Sequence, residues 1–122
     1  MSNEEESFSR EIALLATNLL NEKKGLDPVL LEVSEVTYLA DYFLICSGTS
    51  AQQIHTLADH LMEGLEKEGY TLFRLEGYRE GRWVLLDYGE LVVHIFQPEE
   101  REFYNLERLW GQASTVSLSA ES

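Results

Sequence analysis

The sequence predicts a single α/β domain in which a mixed five-stranded sheet carries helices packed on it. Three observations predict this. Two short apolar runs, Trp83-Val84-Leu85-Leu86 and Leu91-Val92-Val93-His94-Ile95-Phe96, flank the polar break Asp87-Tyr88-Gly89-Glu90 and read as a β-hairpin. The wholly apolar run Tyr42-Phe43-Leu44-Ile45-Cys46 precedes a segment in which Ile54, Leu57, Ala58, Leu61 and Leu65 recur at helical spacing. The chain order is helix, strand, strand, helix, three strands, helix, the mixture expected of a sheet with helical cover.

The first helix starts behind Glu4 to Glu6. Phe8, Ile12, Leu15, Ala16 and Leu19 form its apolar stripe, and Lys23, Lys24 and Gly25 close it. Pro28 to Val33 is a strand with Val29, Leu31 and Val33 on one face, and residues 34–41 connect it to the buried strand 42–46. Ser50-Ala51-Gln52-Gln53 fits a capping box, and Gly69 ends the helix that it opens. Tyr70 to Glu76 is a strand, joined to the second strand by a right-handed parallel crossover. Neither run of the hairpin alternates cleanly, so both its faces are covered and it lies inside the sheet. Pro98 starts the last helix, with Phe103, Leu106 and Leu109 on its buried side. Residues 1–7 are expected to be a flexible acidic N-terminus, 8–111 the folded domain and 112–122 a disordered Ser-rich tail.

Against 9 basic residues stand 22 acidic ones, a net charge of −13. Such a surface repels nucleic acid phosphates and anionic membranes and attracts basic proteins, although acidity also serves solubility. The lone Cys46 permits no internal disulfide and fits a reducing cytoplasm. Met1 to Ser7 has no apolar core of a secretory signal, and no run reaches the ~20 apolar residues of a membrane span.

Few residues look chemical. Ser47-Gly48-Thr49-Ser50 joins a strand to a helix N-terminus and offers a phosphate cradle, but the longer Gly-rich signatures and the P-loop Lys are absent. Cys46 sits in an apolar run, where a small thiol is a core residue. His55 and His60 lie about 140° apart around a helix, and His55 with Asp59 makes too few ligands for a metal. Glu80, Asp87 and Glu90 lie in or beside loops and form no carboxylate pair within a strand. What remains is a surplus of aromatics, Trp83, Tyr88, Tyr104 and Trp110, of the kind that anchors interfaces. Trp83, Leu85 and Asp87 share one strand face.

Four blocks in this order resemble the ribosomal silencing factor family, also called Iojap-related: residues 37–50, Glu76-Gly77, residues 83–94 and residues 101–110. The resemblance spans roughly Phe8 to Gly111. It implies a fold similar to nucleotidyltransferases without their catalytic carboxylates, no enzyme activity, no cofactor and no metal. It also implies binding to the universal fourteenth protein of the large ribosomal subunit, which blocks joining with the small subunit and lowers translation when nutrients run short. A homodimer of the free protein belongs to the same expectation; membrane binding and direct nucleic-acid readout do not. The expected contact is the hairpin with the neighbouring last helix: Trp83, Asp87, Tyr88, Glu90, Arg101 and Tyr104. His94 is expected to be a hydrogen-bonded core residue. The alternative is a nucleotide-binding or nucleotidyltransferase-like enzyme using Ser47 to Ser50.

Overall fold

Strands that are apolar on both sides must be covered on both faces, and that requirement sets the centre of the molecule. The computed structural model describes residues 2–111 and 113–116, with side chains from Ser9 onward. In chain order the elements are α1 (Ser2–Glu22), β1 (Leu26–Glu32), β2 (Tyr42–Ser47), α2 (Ala51–Lys67), β3 (Arg74–Glu76), β4 (Trp83–Asp87), β5 (Leu91–Phe96), α3 (Pro98–Tyr104), α4 (Leu106–Leu109) and β6 (Ser114–Val116). Strands β2 and β5, buried along their whole length, pair in parallel from Tyr42 opposite Leu91 to Ser47 opposite Phe96. Among the described residues the sheet has six strands in the order β3-β4-β5-β2-β1-β6.

Helices α1 and α2 cover one face. Ile12, Ala13, Ala16 and Leu20 of α1, with Ile54, Leu57, Ala58, Leu61 and Leu65 of α2, pack on Leu30, Leu44, Cys46, Val84, Leu86, Val93 and Ile95. At ~1.5–3 kcal/mol for each fully buried large aliphatic side chain, this layer supplies most of the stability. The second face carries Leu31, Val33, Phe43, Ile45, Val92 and Phe96, all buried, and opens only toward β4, where Trp83 and Leu85 are half-buried. Leu106 of α4 is buried there, and Trp110 meets Phe43 edge to face with ring centres 5.2 Å apart.

The start of α2 follows its sequence. Ser50 Oγ accepts from Gln53 N at 3.1 Å, while Gln53 Oε1 accepts from Thr49 N at 2.7 Å, one residue before the cap that a standard box would serve.

Three expectations are corrected. The strand count is six because Ser114–Val116, placed by sequence in the tail, pairs antiparallel with β1 and covers what would be an open edge. Residues 117–122 of that tail, with Met1 and Gln112, lie outside the described residues. Helix α1 begins at Ser2, inside the segment that the sequence assigns to the acidic N-terminus. Strand β3 is only Arg74–Glu76; it runs in the direction of β2, as a parallel crossover requires, but sits three places away because β5 and β4 fill the positions between. The last helix breaks at Asn105, whose left-handed φ of 47° ends α3 and whose side chain caps α4. That break leaves Phe103 80% and Leu109 70% exposed, where a continuous stripe would have buried them.

Candidate functional site

Strand β4 alternates, and the alternation divides its chemistry. Val84 and Leu86 are fully buried under the helices, while Trp83, Leu85 and Asp87 lie half-buried on the second face. Beside them on β3, Glu76 stands opposite Leu85 and Arg74 opposite Asp87, both side chains exposed. Helix α3 reaches only the near end of this half-face.

There Trp83 is fixed from three sides. Its ring stacks on Phe96 at 4.9 Å between centres and lies against Tyr104 at 4.6 Å. Its indole Nε1 donates to His94 Nδ1 at 3.1 Å. Tyr104, 47% exposed, passes the aromatic surface on to Phe103, edge-on at 5.0 Å. At the far end of β4, Asp87 Oδ1 accepts from Gly89 N at 2.9 Å and Oδ2 lies 3.8 Å from Arg74. The exposed Glu90 holds the β1–β2 connection, its carbonyl accepting from the backbone N–H of Asp41 at 2.8 Å and Tyr42 at 2.9 Å. The result is an aromatic platform, Trp83, Tyr104 and Phe103, with the Asp87 carboxylate at the other end of β4.

A family model described as ribosomal silencing factor during starvation matches residues 6–122. The chain belongs to the ribosomal silencing factor family. The "Ribosomal silencing factor RsfS" of Halalkalibacterium halodurans is 44% identical over 110 residues, 90% of this chain and 94% of that one. "Mitochondrial assembly of ribosomal large subunit protein 1" of Mus musculus is 31% identical over 99 residues, covering 79% of this chain and 43% of that longer one. The crystal structure of a Chromobacterium violaceum protein superposes with a TM-score of 0.82 at 36% identity, over 84% of this chain and 85% of the other.

For a ribosomal silencing factor family member, the six residues singled out by sequence divide into those at the surface and those inside. Trp83 and Tyr104 touch, and Asp87 and Glu90 lie at the other end of the same hairpin. Tyr88 does not join them: it is 3% exposed in the helix-covered core, where burial first and the Glu66 charge second push its phenol up to about 12. Arg101 is an internal clamp. Its guanidinium, with the side chain 13% exposed, donates to Ser47 Oγ at 2.9 Å and Asp27 O at 2.8 Å, and it pairs with Glu107 at 2.9 Å. Arg101→Met should therefore lower stability by about 2–3 kcal/mol in urea unfolding, whereas a surface contact would change it by less than about 0.5.

Part of the hydrogen-bonding capacity of the turn proposed as a phosphate cradle is engaged within the chain. Gly48 N donates to Phe96 O, Thr49 N to Gln53 Oε1, and Gln53 N to the Ser50 hydroxyl. Cys46 is buried, and burial pushes its thiol up to about 11, so it is no nucleophile at neutral pH. His55 lies 2.6 Å from Tyr78 O and His60 2.7 Å from Glu22, each serving a structural bond. His94 is 5% exposed, and burial lowers its pKa from 6.5 to about 4. The folded chain thus binds this proton less readily than the unfolded one. The stability this difference contributes is complete above pH 6.5 and lost as pH falls through about 4, up to ~3 kcal/mol. Urea midpoints should fall over that window, and by less in His94→Phe.

Sequence reasoning missed Tyr38 and Leu39, which are 106% and 75% exposed on the connection between β1 and β2. Leu39 N donates to Thr37 Oγ1 at 3.1 Å, and Glu90 O holds the connection's end, so two large apolar groups face solvent from an anchored loop. Read as a plain connection, this segment gave no period to follow. The signal was two adjacent large apolar residues with no strand or helix to bury them.

Proposed function

We propose that this chain represses translation by docking on the large ribosomal subunit through its universal fourteenth protein, so that the small subunit cannot join. The observation that carries the reading is the half-open second face: a Trp83 held by Phe96, Tyr104 and His94, with Asp87 and Glu90 at the far end of the hairpin. A pre-ordered aromatic loses little freedom on binding, and buried Trp and Tyr residues carry most of an interface's energy. Leu85, Tyr104 and Phe103 extend the surface. Tyr88 and Arg101 support it from within.

Electrostatics favour the same partner. A net charge of −13 speeds encounter with a basic ribosomal protein and opposes contact with bare rRNA. A standard interface takes ~800 Å² from each partner, roughly a tenth of the 7404 Å² accessible here. The family's name and that of the mouse relative point to silencing and to the large subunit. The work is steric, needs no catalysis and belongs in the cytoplasm. Among the described residues, no helix is long and apolar enough to cross a membrane.

The test is sedimentation with purified subunits at rising salt. The chain should travel with large subunits and not with small ones. Salt should slow its association more than it hastens release. Equal travel with both subunits, or with neither, contradicts the proposal.

A further inference from the structure

We propose that His94 is a positioning residue for docking, holding the Trp83 indole in the orientation that the partner meets. This rests on the docking reading above and adds to it a group that never touches the partner. Trp83 and His94 face each other across neighbouring strands: Trp83 pairs with Phe96 and Leu85 with His94, so the histidine lies diagonally beneath the indole. An indole N–H only donates, so His94 Nδ1 must be the acceptor and the ring proton must sit on Nε2. That Nε2 is buried and has no hydrogen-bond partner among the described residues.

A buried donor without a partner is unfavourable, and the pocket gives no packing reason to accept one. Phe43 meets the His94 ring edge-on at 5.3 Å and Phe96 lies nearly parallel to it at 6.2 Å, an environment in which a phenyl ring would be at ease. What a phenyl ring lacks is the lone pair that receives Trp83. Burial also keeps His94 neutral at physiological pH, so that lone pair stays available. Stacking on Phe96 and the tilted contact with Tyr104 hold the faces of the indole but do not alone fix its rotation about the Cα–Cβ and Cβ–Cγ bonds. The hydrogen bond removes this freedom, and with it part of the entropy lost on docking.

His94→Phe and His94→Asn test the role, the asparagine oxygen standing close to where Nδ1 was. Two signals report it: solvent exchange of the Trp83 indole N–H by NMR, assigned with Trp110→Phe, and affinity for purified large subunits. In His94→Phe the N–H should exchange about tenfold faster or more, and affinity should fall roughly tenfold with no loss of thermal stability. His94→Asn should restore much of both. Unchanged exchange in His94→Phe overturns the inference, as does an affinity loss that merely follows a drop in melting temperature. If Trp83→Ala weakens binding while His94→Phe binds like the parent chain, only the positioning role fails. If Trp83→Ala itself binds normally, the docking face fails and the role goes with it.

Discussion

Trp83→Ala should reduce affinity for large ribosomal subunits by about 30-fold or more while the chain stays folded. The side chain is half-buried, and the alanine variant loses the stack on Phe96, the contact with Tyr104 and the bond to His94. Its cost to folding is nevertheless modest, because the helix-covered face does not involve it: Val84 and Leu86, on the other side of β4, hold the strand in place. A fall of about 1–2 kcal/mol in stability is expected, with an unchanged far-ultraviolet circular dichroism spectrum. Co-sedimentation at increasing subunit concentration measures the affinity. Tyr88→Ala should behave in the opposite way. It opens a cavity among Met62, Tyr70 and Leu72 and affects binding only through the loss of folded protein.

The second large effect is expected at Gly77→Ala. Gly77 has φ +77°, and a β-carbon there would lie 2.0 Å from the carbonyl oxygen of Trp83 and 3.2 Å from its carbonyl carbon. The obstacle is strand backbone, which cannot swing away as a flexible side chain would. Relief requires moving the β3–β4 connection off β4, which breaks the pairing of Arg74–Glu76 with Leu85–Asp87 and displaces Trp83 itself. A loss of at least about 3 kcal/mol is expected in chemical unfolding, together with loss of subunit binding. Gly69→Ala is the internal control. Its φ is +90° but nothing lies within 4 Å of a β-carbon, so only the conformational penalty of about 1–2 kcal/mol applies.

The parts of the fold with strong periodicity were legible. The stripe of α2 and the apolar runs of β2 and β5 named their own burial, and Ser50 named its cap. Strand β6 was not legible, because three residues on a sheet edge bury too little to leave a pattern, and only the need to cover β1 explains it. The break at Asn105 is one residue's choice of a left-handed conformation, which asparagine permits but does not announce. On the candidate face, Trp83 and Tyr104 were singled out as aromatics in excess of a core's needs, and the structure places them in contact. Tyr88 was misplaced although strand parity held the answer: Val84, Leu86 and Tyr88 alternate onto one side, opposite Trp83, Leu85 and Asp87. Its position beside the turn outweighed that parity. Arg101 was read as a contact residue because two of the groups it holds, Ser47 and the Asp27 carbonyl, are 54 and 74 positions away in sequence.

Subunit joining followed by light scattering measures the proposed role most directly. Purified large subunits are first saturated with the protein, as verified by co-sedimentation, and small subunits are then added. Scattering should rise far less than in the absence of protein, and Trp83→Ala at the same concentration should leave joining intact. A full rise with every large subunit occupied would contradict the account: the chain would bind the ribosome without keeping its halves apart.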